Sequence, residues 1–155
     1  SSHYSKTLTL MEGISEIKDW YKDLIQNYLY SGSTEDIKSY FENHESHIPI
    51  CHFFVWWALE IGFDREMNDR EMISQLIKKC YHEFMFSYAD FAFAFDHFIE
   101  NLDEYSIDVP KIVEVLPLFI ARSVYDQVIN PSYVLFGESF SKDDNQIEIW
   151  DRVAA

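Results

Sequence analysis

The sequence predicts an all-α fold, with consecutive antiparallel helix pairs stacked into a solenoid-like bundle. Apolar residues recur at helical spacing in segment after segment, with no strand-like pattern between them. The connections are short, and Ser, Asn, Asp or Pro stands where each helix should begin. Composition agrees: 48 % of the 155 residues are hydrophobic and 17 % aromatic, against 4 Gly and 4 Pro. Such a chain favours a packed helical protein over a loop-rich or disordered one. Its length suits one domain that buries roughly two thirds of its unfolded surface.

The elements follow in order. Ile14, Ile17, Tyr21, Leu24, Ile25, Tyr28 and Leu29 predict an amphipathic helix over 14–30, ended by Ser31-Gly32. Residues 1–13 are set apart as an N-terminal extension or an expression remnant. Ser33, with Asp36 three residues on, predicts the cap of a second helix bearing Ile37, Tyr40 and Phe41. After a polar connection, Pro49 is expected to open a third helix and Gly62 to close it. Phe53, Phe54, Val55, Trp56, Trp57, Leu59 and Ile61 make that helix apolar nearly all round, so it should lie inside the domain. Asn68 or Asp69 starts a fourth, with Met72, Ile73, Leu76, Ile77 and Cys80 pointing inward.

Ser87-Tyr-Ala-Asp90 resembles a cap, and the helix after it carries Phe91, Phe95, Phe98 and Leu102 on one stripe. Asp108-Val109-Pro110 predicts the start of a sixth helix, since Asp accepts backbone N–H bonds and Pro tolerates the first turn. Pro117 predicts a kink there or a division into two. Asn130-Pro131 is read as the end of the array. The domain is thus expected over 14–134, followed by an acidic extension over 135–155 whose Ile147, Ile149 and Trp150 can still dock. The total is six to seven helices.

The net charge of −15, from 27 acids and 12 bases, opposes binding to nucleic-acid phosphates or anionic membranes. It favours a basic protein surface. The longest apolar run, Phe53 to Leu59, is well short of the ~20 residues a membrane span needs. No secretory signal is seen, so Cys51 and Cys80 are expected as reduced, buried thiols of a cytoplasmic or nuclear protein rather than a disulfide.

There is no Gly-rich phosphate loop, no Gly-x-Ser-x-Gly elbow and no Cys-x-x-Cys pair. Neither a cofactor nor a small-molecule substrate is expected. His44, His47, Cys51 and His52 fall close together, but two lie in a polar connection and two beside an apolar helix, and no metal is expected there. Among the aromatics, one of Phe86 and Phe93 is expected to be exposed, since both sit off the main stripe. The remaining constellation is "ENLDEYSIDVPK", residues 100–111, where Glu100, Asp103, Glu104 and Asp108 precede the first base, Lys111. A catalytic carboxylate pair needs a cleft that separates the two pKa values, and a Gly-poor corner offers none, so no enzyme activity is expected. Capping explains Asp108 alone. The other acids suit either a solvated loop or a grip on Arg and Lys of another protein.

At this corner the sequence resembles a known family. "SYADFAFAFDHFIENLDEYSIDVP" is similar to the Ser-x-x-Asp-Phe…Leu-Asp-Asp-Leu-x-Leu-Asp-Val-Pro signature of MA-3 domains. Such domains occur in programmed cell death protein four and in the initiation factor four-G scaffold. "NYLYSGSTEDI", "DREMISQLIKKCY" and "LPLFIARSVYDQVINPSYV" resemble its other motifs in the right order, covering about Ile14 to Val134. The resemblance implies an atypical HEAT-like stack of antiparallel helical hairpins. It also implies a non-enzymatic module that docks on the DEAD-box RNA helicase of translation initiation, factor four-A. The family's two key acidic positions fall on Glu104 and Asp108, and Asp103 and Ile107 lie in the same motif. The implied role is regulation, in the programmed-cell-death type inhibition, of cap-dependent translation. Relatives also serve splicing and ribosome biogenesis, which leaves a scaffold with another partner as the alternative. Tyr105 and Ser106 depart from the family's small or aliphatic residues, Ser33 from its Asp, and Pro117 is unusual for its helix.

Overall fold

A computed structural model describes the backbone of residues 2–155 and the side chains of 13–47 and 50–155. Nine α-helices and no strand occur among the described residues. They are α1 (Ser2–Ser31), α2 (Glu35–Asn43), α3 (Cys51–Phe63), α4 (Met67–His82), α5 (Tyr88–Glu100), α6 (Leu102–Asp108), α7 (Ile112–Tyr125), α8 (Pro131–Ser139) and α9 (Asp144–Ala154), with a 3-10 turn over Glu45–Ile50. The all-α expectation holds, and three helices exceed the expected count for stated reasons: α6 occupies the acidic corner, and α8 and α9 continue past Asn130-Pro131.

Where consecutive helices pack together, as α3 with α4 and α8 with α9, the short connection makes them antiparallel hairpins. Within the stack, α3 lies between α1 and α5 and against α4, while α7 lies between α4 and α9. The all-round apolarity of α3 is explained by that position: Phe54, Val55, Trp57, Leu59 and Phe63 are all buried. The predicted stripe of α5 is equally inward, with Phe91, Phe95 and Phe98 fully buried and Leu102 continuing it into α6. Ser87 starts α5 as expected. The Asp90 carboxylate accepts from the Ser87 backbone N–H at 2.8 Å and from its hydroxyl at 3.1 Å.

Several local expectations are corrected. The first helix starts by Ser2 rather than at residue 14; Ser1 and the side chains of 2–12 lie outside the described residues, and the N-terminal extension expected there with them. Gly32 does end α1, at φ +75, where only glycine is unstrained. Thr34, not Ser33, occupies the cap position of α2, and the Ser33 hydroxyl accepts from Glu35 N at 3.3 Å. Pro49 sits in the 3-10 turn, so α3 begins at Cys51. Gly62 does not close α3: the helix runs to Phe63, and a Cβ on Gly62 would lie 3.0 Å from the Phe119 ring of α7. Its smallness lets α7 approach. Pro117 is buried inside α7, which stays one continuous helix.

Past Asn130, sequence and structure diverge most. The Asn130 side chain accepts from Ser132 N at 2.9 Å and caps α8, with Pro131 in the first turn. Asp143 caps α9 by accepting from Gln146 N at 2.9 Å. Ile149 and Trp150 dock as anticipated, whereas Ile147 remains 43 % exposed. Gly137 faces the Trp150 indole so closely that a Cβ there would overlap the ring.

Candidate protein-binding site

The acidic corner is a two-turn helix, not a loop. At about 100° per residue, Asp103, Ile107, Glu104 and Asp108 share one continuous arc of α6. All four are exposed, Ile107 to 80 %. The opposite arc anchors the helix: Leu102 is buried, and the Tyr105 ring lies 4.9 Å from Phe98. The Tyr105 hydroxyl and His97 Nε2 are 2.8 Å apart, and the His97 ring packs tilted on Trp56 of α3, with centroids 3.7 Å apart. The Ser106 hydroxyl donates back to Leu102 O. Tyr105 and Ser106, the departures from the family motif, thus face inward and hold the helix rather than shape its outer face.

Asp108 does not cap the next helix. It is the last residue of α6, and Lys111 stands at the cap of α7 because Val109 to Lys111 must first turn the chain. Among the described residues no ion pair includes Glu104 or Asp108. Asp103 is less free, since its Oδ1 accepts from Asn145 Nδ2 of α9 at 3.3 Å. Nothing in the sequence signalled that contact, which depends on α9 folding back against α5, where Gln146 Nε2 donates to Ile99 O at 3.3 Å.

Asp108 works against the stability of α6, whereas Asp103 and Glu104, in its first turn, suit the dipole. A carboxylate in the last turn opposes the helix dipole, and Glu104 and Asp108 are like charges four residues apart. Asp108→Asn alone, which removes both the dipole conflict and the like-charge pair, should therefore stabilise the domain slightly against urea at low salt, by roughly 0.5–1 kcal/mol.

The anchor below the acidic face is sensitive to pH. Burial holds His97 below its ordinary value, although Glu60, Glu100 and Glu104 favour its charged form; burial likewise lowers His47 and His52. A histidine with a depressed folded pKa contributes stability above the unfolded value of about 6.5. That contribution is lost as pH falls through the lower folded value. Urea midpoints should decline as pH falls below about 7.5, one unit above the unfolded value, and His97→Gln should flatten part of the decline.

The other candidates are accounted for as structure. His44 Nδ1 lies 2.7 Å from Tyr40 O, His47 Nδ1 lies 2.9 Å from the Tyr40 hydroxyl, and His52 packs against Phe53 and Phe93. Among the described residues no group of three or more His, Cys, Asp or Glu is arranged for a metal ion. Cys51 and Cys80 are free and buried, and burial pushes the Cys51 thiol up to about 12. Phe93 is the exposed member of its pair at 48 %, and Phe86 is buried. No described helix is long and apolar enough to cross a membrane.

A profile of the MA3 domain matches residues 17–130, from the middle of α1 to the cap of α8. The chain belongs to the MA3 domain family. Over 116 residues it is 30 % identical to MA3 domain-containing translation regulatory factor 2 of Arabidopsis thaliana, covering 74 % of this chain and 16 % of that protein. Over a stretch of the same length it is 25 % identical to human programmed cell death protein 4, covering 72 % of this chain and 23 % of the relative. The chain thus spans about a sixth to a quarter of these relatives. The acidic helix lies within the MA3 match, and α8 and α9 follow it.

Proposed function

We propose that this MA3 domain is a non-enzymatic docking module for the DEAD-box RNA helicase of translation initiation, the factor four-A type. Glu104 and Asp108 grip Arg or Lys of the helicase, with Asp103 and Ile107 beside them, and the contact inhibits helicase activity and cap-dependent translation. The observation that carries this reading is the outer face of α6, where carboxylates stand exposed without an ion-pair partner among the described residues, Asp108 at a cost to the helix. Charge held against local stability fits a surface completed by a partner. The names of the relatives, translation regulatory factors and programmed cell death protein 4, support the biological setting. They also favour the cytoplasm as the place of action.

The chemistry is electrostatic. Carboxylates on a convex helix meet guanidinium or ammonium groups in charge-assisted hydrogen bonds, and Ile107 supplies an apolar contact at the centre. The domain brings no catalytic group and no cofactor to this contact. The functional test is the RNA-stimulated ATPase and RNA binding of the helicase with increasing domain. Both should fall, and the effect should weaken between about 0.05 M and 0.3 M salt as the Debye length shortens. Unchanged helicase activity, with the domain captured instead by a splicing or ribosome-assembly factor, would replace this partner with the alternative one.

A further inference from the structure

A pocket of about 250 Å³ opens between α2, the start of α3 and the connection from α4 to α5. Its walls are Phe41, Phe84, Phe86 and the Cys51 thiol, all buried. No element of the acidic site contributes to it. Engineered cavities of about 150 Å³ already admit benzene, and pockets for whole metabolites run to about 300–1,000 Å³. A space of this size and apolarity suits one aromatic side chain.

The rim adds two independent features. Met85 lies there 77 % exposed, in a left-handed backbone conformation at φ +39. That conformation suits Gly or Asn and disfavours a long side chain. The turn is held in place by Phe84 N donating to Lys79 O at 3.2 Å and Phe86 N to Cys80 O at 3.3 Å. An exposed, flexible thioether in a strained position at the mouth of an apolar pocket is a contact surface in search of a ring. The mouth is also acidic: Glu42 and Glu83 stand on it with only Lys38 opposed, and Asp90 acts on Cys51 from the start of α5.

We propose that this pocket is a second docking site, which receives one aromatic side chain of a partner protein presented next to Lys or Arg. The ring enters over Cys51 against the packed pair of Phe41 and Phe86, whose own rings touch edge-to-face at 5.0 Å; Met85 closes on its edge, and the flanking cations meet Glu42 and Glu83. The site is built from different elements from the acidic helix and does not depend on its function.

The test uses protein labelled with ¹³C at the methionine methyls, since the chain has only 4 Met and Met85→Leu assigns the signal. The probes are three capped tripeptides: Lys-Trp-Lys, Lys-Ala-Lys and Glu-Trp-Glu. Lys-Trp-Lys should move the Met85 methyl saturably by ring current. Lys-Ala-Lys should leave it in place, and Glu-Trp-Glu should bind about tenfold more weakly or less. Cys51→Leu fills the floor and should abolish the shift; Glu42→Lys/Glu83→Lys, on exposed positions, should weaken it about tenfold even if Cys51→Leu fails to fold. Glu104→Ala/Asp108→Ala should change nothing. A methyl unmoved by Lys-Trp-Lys overturns the proposal, as does equal response to all three peptides or a shift that survives the charge reversal.

Discussion

Replacing Trp150 with alanine should destabilise the protein by about 3–5 kcal/mol, the range for removing a large aromatic from a packed core. Trp150 is 2 % exposed on α9, lies edge-on to Tyr133 at 5.6 Å and presses on Gly137. Its neighbour Ile149 is completely buried, and α9 covers one side of α7. Loss of the indole therefore loosens α8 and α9 together and uncovers α7. The indole N–H is buried without a partner, so Trp150→Phe sheds an unsatisfied donor and should cost less than half as much. Gly137→Val drives a side chain into the ring and should approach the cost of Trp150→Ala. We propose on these grounds that residues 131–154 belong to the same folding unit as the MA3 match. Urea unfolding should remain one transition in the wild type, and removal of 135–155 should lower its midpoint sharply. A Trp150→Ala loss below about 1 kcal/mol would mean that the last two helices are an appendage.

What the sequence made legible was what local chemistry determines. Ser87 with Asp90, Gly32 after Tyr28, and the Phe91-Phe95-Phe98 stripe each predicted its element, because capping, positive φ and helical spacing act within a few residues. Motif order pointed to the family for the same reason. The misreadings share another cause. Asp108-Val109-Pro110 has the pattern of a helix start, yet α6 forms first because Leu102 and Tyr105 find burial on Phe98, and the helix carries its acids along. The end of the chain looked like an acidic extension because Ile149 and Trp150 are separated from Tyr133 by a mixed stretch in which acids and serines interrupt the apolar residues. Only the docked face of α7 shows which of them count. Gly62 was ambiguous in the same way: a glycine that lets a ring approach is indistinguishable in sequence from one that ends a helix. The exposed acids of α6 are visible in the sequence, but their anchor, His97 with Tyr105, and the link of Asp103 to Asn145 depend on contacts across elements.

The second large effect concerns the partner rather than the fold. Glu104 and Asp108 point away from the core, so their removal should leave circular dichroism unchanged and the thermal midpoint equal or slightly higher. Loss of a desolvated charged contact costs about 1–3 kcal/mol per site, or roughly 5- to 150-fold in affinity. Asp103→Ala should matter less, because that carboxylate is shared with Asn145. Glu104 is the sharper of the two principal positions: it stands in the first turn of α6, where its charge suits the helix dipole, and it holds no other side chain in place. The most direct measurement is the calorimetric affinity of the initiation helicase for the wild-type domain and for Glu104→Ala/Asp108→Ala at one salt concentration. A loss of at least about tenfold with the fold intact is the predicted result; equal affinities, or no binding by the wild type, would contradict the assignment of α6 as the docking site.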